Sequence, residues 1–265
     1  MNIVSSEFNF LKPHMSEKLI RVGRKNDGGY ILPENLINET DGLLSFGYGY
    51  DSSFEEEYIN LSNNSVIIFD HTCDYKKLIK SLLKNLKRFL LFRKKFDDVK
   101  NSFDNLLKYR KFINSKKVIF FRKKVVKEKK EKIDAEIHDI LEKLKFNKAI
   151  LKCDIEGAEY SILEKILKFN EKVDCILIEF HNIKSNIYLF KENINNLLKF
   201  YFITHLHGNN HDPLIENINV PNTLEITLVK KKFINNKIFV NKFPIEGLDH
   251  PNNPGLKDLY FEFKN

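Results

Sequence analysis

The strongest indication of the fold is the run Ile150-Leu151-Lys152-Cys153-Asp154-Ile155-Glu156-Gly157-Ala158-Glu159-Tyr160 in the middle of the chain. Its apolar part ends at Asp154, Glu156 follows two residues later, and a helical pattern begins after Gly157. This order is typical of a buried parallel strand that carries carboxylates to the carboxyl edge of a sheet, where open α/β folds bind their ligands. The alternative is that Asp154 only caps the following helix.

Strand and helix patterns alternate on both sides of this run. Short apolar runs predict seven strands, at 43–46, 65–69, 117–121, 149–153, 173–178, 201–206 and 224–229. Helical spacing predicts helices at 53–61, 133–144, 160–169 and 187–200. We therefore predict an α/β fold with a doubly wound, mostly parallel seven-stranded Rossmann-like sheet. The last two strands are too close in sequence for a crossover helix, so they should form an antiparallel hairpin at one edge.

The composition predicts one domain over residues 1–265. A chain of 265 residues with 42% hydrophobic content can bury one large core. No run of about 18 apolar residues exists that would cross a membrane, and the first residues lack the pattern of a signal peptide. The three cysteines lack CxxC spacing, so we expect buried reduced thiols in a cytoplasmic protein.

The positive charge is concentrated in one part of the chain. Residues 76–132 contain 22 Lys or Arg against 5 Asp or Glu, a net +17, whereas the whole chain carries +8 and the remainder therefore −9. Within this part, residues 74–115 form a predicted basic helical insertion with amphipathic spacing around residues 78–90 and a second helix around 103–112. A solvated helix face is the simplest explanation. The alternatives are a docking surface for an anionic substrate or for acidic lipid headgroups.

Two signals predict a cofactor site at the first two strands. Gly47 and Gly49 follow the first strand at alternate positions, which lets the backbone approach a ligand closely. The second strand ends at Asp70, 23 residues after Gly47, where a carboxylate can accept hydrogen bonds from both ribose hydroxyls of a nucleotide-like cofactor. The pattern lacks the third glycine of a dinucleotide site and has a serine there, which favours S-adenosylmethionine, a cofactor without phosphate.

Further polar clusters follow the later strands. Asp154 with Glu156, and Glu179 with His181, should lie side by side because adjacent strands are roughly 5 Å apart. His205 and His207 point to the same face of the sixth strand, because side chains alternate between the two faces. Asn209 follows them closely. Carboxylates and imidazoles that converge on one edge are able to bind a divalent metal or to transfer protons, although single histidines are more often satisfied core residues.

The N-terminal residues 1–42 form a predicted cap that contains the turn Asp27-Gly28-Gly29-Tyr30. The two glycines indicate a tight turn between two extended segments. The resulting hairpin would cover one edge of the sheet. Its arginines, Arg21 and Arg24, are alternatively placed to face an anionic ligand.

Together these motifs resemble the FkbM-type family of S-adenosylmethionine-dependent methyltransferases. The run from Leu151 to Glu159 looks like that family's Lys-x-Asp-x-Glu-Gly-x-Glu signature. The stretches 178–181, 205–210 and 221–225 and the turn at 27–30 fit the same pattern, so the resemblance covers about residues 21–230. The antiparallel strand pair also suits the seven-stranded sheet of methyltransferases, whereas the basic insertion departs from the family.

The resemblance implies an O-methyltransferase that acts on a hydroxyl or phosphoryl-type oxygen of a saccharide or of a lipid- or nucleotide-linked glycan precursor. Abundant Lys, Asn and Ile favour a bacterial source. Cofactor contacts would come from six residues: Asp27, Gly47, Gly49, Asp51, Asp70 and His71. Asp154, His181 and His207 would be catalytic, with His181 or His207 as the base. Mg²⁺ or another divalent cation held by Asp154, Glu179 and His181 is also compatible with the resemblance.

Two other functions remain open from the sequence. A nucleic-acid methyltransferase or binder would use the basic insertion for phosphate contacts, but the insertion lacks the aromatic interleaving of a base-stacking surface, so nucleic acid is the weaker alternative. A non-catalytic module at an anionic membrane, such as the inner face of a bacterial membrane, would leave the residues at the carboxyl edge unexplained.

Overall fold

The computed structural model describes residues 2–16, 18–235 and 238–264. Its strands, in chain order, are β1 (Leu19–Val22), β2 (Tyr30–Pro33), β3 (Gly42–Phe46), β4 (Ser65–Phe69), β5 (Val118–Phe121), β6 (Lys124–Val126), β7 (Asp134–Glu136), β8 (Ala149–Cys153), β9 (Val173–Phe180), β10 (Tyr201–Gly208), β11 (Leu224–Lys230), β12 (Lys242–Phe243) and β13 (Phe261–Glu262). Its α-helices are α1 (Asn35–Glu39), α2 (Ser53–Ser62), α3 (Tyr75–Leu90), α4 (Phe96–Ile113), α5 (Ile137–Glu142), α6 (Glu159–Leu167) and α7 (Ile187–Leu197).

Seven strands form the central sheet, in the order β10-β11-β9-β8-β3-β4-β5. The five strands β9, β8, β3, β4 and β5 pair in parallel with their neighbours in this order. The strand β11 is antiparallel to both β9 and β10. The predicted doubly wound, mostly parallel Rossmann-like sheet with an antiparallel pair at one edge is therefore confirmed. This strand order places the ends of β3, β4 and β8 next to one another.

Both faces of the central part of the sheet are buried. Adjacent residues of β3 illustrate this, because Leu43 packs in one core with helices α1, α2 and α4, while Leu44 packs in the other core with α5, α6 and α7. Every residue of β3, β8, β9 and β11 is buried. Helices on both faces explain why these strands read as continuous apolar runs rather than as alternating ones.

The basic insertion is the connection between β4 and β5. It consists of the α3–α4 helical hairpin, as predicted, although α4 begins seven residues before the predicted start at 103. The end of α4 near the sheet is buried through Tyr109 and Phe112, whereas α3 has no buried residue.

The predicted helix at 133–144 is only partly correct. Residues Asp134–Glu136 form β7, which pairs in parallel with β6, and the helix α5 begins at Ile137. The Asp134 carboxylate accepts hydrogen bonds from the backbone N–H groups of Lys130 and Glu131 and so fixes a turn before the strand. This turn prevents the helix from starting at residue 133.

The two ends of the chain pack together. The N-terminal hairpin of β1 and β2 is antiparallel, as predicted, and β2 packs against β10 and β11. Residues 238–264, which the sequence did not assign to any element, contain the β12–β13 pair and form bridges from Glu262 to Ile3 and from Phe239 to His14. Among the described residues no helix is long and apolar enough to cross a bilayer.

Candidate active site

A cavity of about 430 Å³ opens at the carboxyl ends of β3, β4 and β8. This volume lies within the usual range of small-molecule sites. Polar side chains and glycines from five segments line it: Arg24, Asp27 and Gly28; Gly47, Tyr48, Gly49 and Asp51; Asp70, His71 and Thr72; Lys123 and Lys124; and Lys152, Asp154 and Glu156. All six predicted cofactor residues and Asp154 therefore lie around one cavity.

Gly47 is required by a close approach between two strand ends. Its φ is +83°, and a Cβ atom at this position would lie 1.7 Å from the backbone oxygen of Asp154. The Asp154 N–H in turn donates to the carbonyl oxygen of Phe46. The loop after β3 and the turn after β8 are therefore in direct contact, which places Asp154 beside the glycine loop.

Asp70 holds the glycine loop in place. Its Oδ2 accepts hydrogen bonds from the backbone N–H groups of Tyr48 (2.8 Å) and Gly49 (2.9 Å), while Oδ1 accepts from the N–H and hydroxyl of Thr72 (both 2.6 Å). Burial raises the pKa of Asp70, but these hydrogen bonds outweigh it and lower the pKa below its usual value. Both oxygens are engaged within the protein, so contact of Asp70 with a ribose stays a prediction.

A buried ion pair supports the same loop. The Lys152 Nζ donates to the carbonyl oxygen of Gly47 at 2.8 Å and lies 3.5 Å from Glu55 Oε1 on α2. Glu55 is fully buried and also accepts a hydrogen bond from the Ser45 hydroxyl. Burial lowers the pKa of Lys152, but the negative charges nearby, Glu55 first, outweigh this effect. The net shift of the pKa is upward, so the lysine stays charged. A lysine inside an apolar strand signals that such a partner exists, although the sequence does not identify it.

Asp154 is the one predicted catalytic residue that lines the cavity. Its Oδ2 accepts a hydrogen bond from the Tyr30 hydroxyl at 3.2 Å, so the turn at 27–30 contributes a side chain that orients it. Burial raises the pKa of Asp154, whereas the charges of Lys152 and His181 lower it, and the net shift is upward. A carboxylate with a raised pKa is a stronger proton acceptor than an ordinary aspartate.

His181 lies among four carboxylates beside the cavity. Its Nε2 is 3.6–3.8 Å from oxygens of Asp154, Glu156 and Glu179, and its Nδ1 is 3.2 Å from Glu159 Oε1. Burial lowers the pKa of His181, but the hydrogen bond to Glu159 and the surrounding charges raise it to about 9. At neutral pH it is therefore an imidazolium and lacks the free lone pair of a general base.

Three of these side chains lie close enough together to hold a metal ion. One ligand atom each from Asp154, Glu156 and His181 lies within 4.8 Å of the others. Glu159 is fully buried and accepts hydrogen bonds from the backbone N–H groups of Gly157 and His181, so it is able to hold the Nδ1 side of the imidazole while Nε2 faces the carboxylates. A carboxylate behind a histidine is the usual support of a metal ligand. The predicted set contained Glu179, which lies as close to His181 Nε2 as Glu156 does, at 3.6 Å, but the group whose ligand atoms lie within 4.8 Å of one another contains Glu156 instead.

The strands end later than predicted, which places Glu179 and His207 inside the sheet. β9 continues to Phe180 and β10 to Gly208, so both side chains are buried. Glu179 pairs with Glu225 across the strands, and its Oε1 accepts a hydrogen bond from the Asn209 amide at 2.8 Å. Burial raises the pKa of Glu179 well above its usual value, and the charges of Asp154 and Glu225 raise it further.

His207 is held by carboxylates away from the described lining of the cavity. Its Nε2 lies 3.3 Å from Asp258 and its Nδ1 lies 3.5 Å from Glu225. Burial lowers the pKa of His207, but these two partners raise it to about 10. His205 similarly pairs with Asp249 at 3.1 Å. The sequence analysis did not identify Asp249, Asp258 or Asn252, because nothing in the sequence indicates that residues 238–264 fold over β10 and β11. The Asn252 amide donates a hydrogen bond to Glu225 at 2.7 Å.

Comparisons with known proteins give structural similarity alone. The sequence matches no family model, and no curated protein matches it. Similar solved structures include a precorrin-6y C5,15-methyltransferase from Geobacter metallireducens, with 10% identity, 75% of this chain and 86% of that chain covered and a TM-score of 0.37. An rRNA methylase from Streptococcus thermophilus has 11% identity, 74% and 93% coverage and a TM-score of 0.37. Fibrillarin in complex with Nop5p has 9% identity, 75% and 74% coverage and a TM-score of 0.39. These values are too low to assign an activity, and the fold follows from the strand order itself.

Proposed function

We propose that this protein is an S-adenosylmethionine-dependent O-methyltransferase whose acceptor is a saccharide or a glycan precursor. The observation that supports it most directly is the cavity at the carboxyl ends of β3, β4 and β8, around which all six predicted cofactor residues meet Asp154. The resemblance of residues 151–159 to the FkbM-type signature supports the same reaction class.

The glycine loop suits a cofactor that carries no phosphate. A Cβ atom at Gly49 would meet no heavy atom within 4 Å, so the backbone there is open to a ligand. Glu156 lines the same cavity and would favour the positive charge of a sulfonium, whereas Asp27 and Asp51 pair with Arg24. When bound, S-adenosylmethionine supplies an electrophilic methyl group.

Asp154 is the residue best placed to accept the proton of the acceptor. With the cofactor bound, the acceptor oxygen would take the methyl group, and the Asp154 carboxylate would accept the proton that this oxygen loses. The Tyr30 hydroxyl fixes Asp154 Oδ2, which leaves Oδ1 towards His181. When no cation is bound, the charged His181 holds the carboxylates in position rather than acting as the base.

A divalent cation that displaces the Nε2 proton of His181 fits the donor set of Asp154, Glu156 and His181. Two carboxylates and one imidazole suit Mn²⁺ or Mg²⁺. When bound, the cation would lower the pKa of an oxygen that it contacts. Calorimetric titration with Mn²⁺ tests this set: Glu156→Gln should weaken binding, whereas Glu179→Gln should not. Loss of binding in Glu179→Gln alone would instead support Asp154, Glu179 and His181 as the ligands.

Calorimetry with S-adenosylmethionine and S-adenosylhomocysteine tests the cofactor. We expect both to bind with one site per chain, and Asp154→Asn to retain this binding. Absence of binding, with and without Mn²⁺, would refute the proposed function.

The acceptor class is tested with a labelled methyl group. We expect label to enter polysaccharide or lipid-linked glycan fractions with the wild type and to fall by roughly a hundredfold or more in Asp154→Asn. Lys123 and Lys124 line the cavity, which favours an acceptor that carries a phosphate. Label found only in RNA would replace the saccharide with a nucleic acid as the acceptor.

A further inference from the structure

The α3–α4 hairpin ends in an exposed apolar tip, defined here as residues 90–96. The exposed fraction is 98% for Phe92, 68% for Leu90, 63% for Phe96 and 54% for Leu91. Such a cluster of large apolar side chains at one point of a surface usually marks a site of interaction.

Phe92 occupies a backbone conformation that favours glycine. Its φ is +57°, and it ends helix α3 with hydrogen bonds from the Phe92 N–H to Phe89 O and from the Arg93 N–H to Arg88 O, both 2.8 Å. Glycine is the usual residue at this position of a helix end, and a bulky side chain there is strained. The exposed ring packs on nothing that would offset this strain, so the stability of the fold does not account for Phe92.

Positive charge surrounds the tip. The hairpin from residue 75 to 113 contains 13 Lys or Arg against three acids, a net +10. Lys87 and Arg88, which precede the tip, and Arg93 within it form no ion pair with any described residue, whereas Lys94 pairs with Asp98. The charges next to the apolar side chains are therefore available to an anionic partner.

The apolar surface extends from the tip along the outer side of the hairpin. Leu83, Leu86 and Leu90 have the i, i+3, i+7 spacing of one helix face, and all three are exposed. The two helices contact each other elsewhere, through Asn85 with Ser102 at 2.7 Å and through the rings of Phe89 and Phe96. Helix α3 thus presents an apolar face that α4 does not cover.

We propose that the tip of the α3–α4 hairpin docks onto the surface of an anionic lipid bilayer. Apolar side chains flanked by Lys and Arg match the interface of such a bilayer, where the side chains enter the acyl boundary and the cations contact the headgroups. A second copy of the chain fits less well, because two hairpins of net +10 would repel each other. RNA would satisfy the charges but would leave Leu90 and Leu91 exposed to water.

The hairpin connects this surface to the cavity. It begins at Tyr75, five residues after Asp70, and its base packs Phe112 and Tyr109 against Tyr48 and Tyr50 of the glycine loop. Docking of the tip would therefore fix the orientation of the cavity relative to the bilayer. The proposal does not depend on methyl transfer, and its test needs no activity.

Sedimentation of the full chain with vesicles tests the docking. The wild type should sediment with phosphatidylglycerol vesicles and much less with phosphatidylcholine vesicles, and added salt should weaken the binding. The double variant Leu91→Ser/Phe92→Ser should bind at least about tenfold more weakly. Tyr188→Ser is the matched control, because Tyr188 is 86% exposed on α7, outside the hairpin, and should bind like the wild type.

A second pair of variants tests the charges. Arg88→Gln/Arg93→Gln should also weaken binding by about tenfold or more, whereas Lys145→Gln/Lys184→Gln, two exposed lysines elsewhere, should not. Equal sedimentation of the wild type and both tip variants, or equal binding to the two lipids, would overturn the proposal. So would an RNA shift that depends on Arg88 and Arg93 without vesicle binding, or a dimer in solution that depends on Leu91 and Phe92.

Discussion

Gly47 shows how one absent side chain brings two strand ends together at the cavity. The backbone oxygen of Asp154 occupies the place where a Cβ atom of residue 47 would lie. Gly49, two residues on, also has a positive φ of +60°, yet open space surrounds its missing Cβ. The two glycines therefore have different reasons to be glycine, steric at Gly47 and conformational at Gly49.

This difference predicts unequal effects of alanine at the two positions. Gly49→Ala should lower the free energy of unfolding by about 1–2 kcal/mol, the cost of a left-handed conformation with a side chain. Gly47→Ala carries the same cost and must also displace Asp154, so we expect a further loss of about 1–3 kcal/mol and weaker binding of S-adenosylmethionine. Urea unfolding of both variants measures the difference. Equal losses would mean that the contact between Gly47 and Asp154 is looser than the structure shows.

His207 makes a pH-dependent contribution to stability. Its pKa of about 10 lies above the unfolded value near 6.5, so the folded state binds the proton more tightly. The contribution of its pairing with Glu225 and Asp258 is therefore fully present below about pH 6.5 and is lost as the pH rises towards 10. Between these values the free energy of unfolding should fall by up to about 1.4 kcal/mol per pH unit through this residue.

Urea unfolding between pH 6.5 and 10 tests this dependence. The advantage of the wild type over His207→Gln should shrink steadily as the pH rises. His211→Gln, which changes an exposed histidine shortly after β10, should keep the slope of the wild type. If wild type and His207→Gln lose stability in parallel, His207 does not carry an additional proton in the folded state.

The base and the tip of the α3–α4 hairpin differ in their burial. At its base, Phe112 is 5% exposed and stacks on Tyr48 with ring centroids 5.6 Å apart. At its tip, Phe92 is almost fully exposed. One element therefore contributes to the core at one end and leaves apolar surface uncovered at the other.

Replacing a phenylalanine by alanine should therefore destabilise the protein strongly at the base of the hairpin and hardly at all at its tip. Phe112→Ala should lower the free energy of unfolding by about 3–5 kcal/mol, because it opens a cavity beneath the glycine loop. Phe92→Ala should change it by no more than about 0.5 kcal/mol, since exposed positions contribute little. Chemical unfolding of both variants measures this contrast. A large loss in Phe92→Ala would mean that the tip packs on the protein itself.

The elements that the sequence predicts well are those whose apolar pattern is unbroken. All seven strands of the sheet are predicted, and burial on both faces makes the central ones, such as Ala149–Cys153, continuous or nearly continuous apolar runs. The predicted ends of β9 and β10 come too early, before Glu179 and His207. A charged or polar residue in a sequence normally indicates exposure, so these two residues do not look like parts of a buried strand. β6 and β7 were missed because each has only three residues, too few for a periodicity.

The candidate site was predictable where residues follow a strand, and not where distant segments meet. Asp70 and Asp154 stand at strand ends, so the topology alone brings them to one edge. Glu55, Tyr30 and Glu159 complete the surroundings of Lys152, Asp154 and His181 from other elements. Their roles depend on side-chain contacts across the fold, for which local sequence contains no signal.

Across the whole molecule, the chain ends are part of the structure that holds the sheet. Phe243, Phe261 and Phe263 are buried in the same core as Phe8 and Leu11, and the Val4 N–H donates to Glu262 O at 2.8 Å. Since the N-terminal and C-terminal segments bury each other's side chains, neither should unfold alone. We therefore predict that the described chain unfolds as one cooperative unit, with the outer part of the α3–α4 hairpin as the exception, because no residue of α3 is buried.

Native-state hydrogen exchange is expected to separate these two regions. Amides of β8, β9 and the β12–β13 pair should exchange only through global unfolding, with one common dependence on denaturant. Amides in the second half of α3, near Leu86 and Leu90, should exchange through local opening at much lower free energy, because no residue of α3 is buried. If β12 and β13 exchanged as readily as α3, the C-terminal segment would be a loosely attached addition. The carboxylates of Asp249 and Asp258 would then not keep His205 and His207 paired, and the pH dependence expected for His207 would disappear with them.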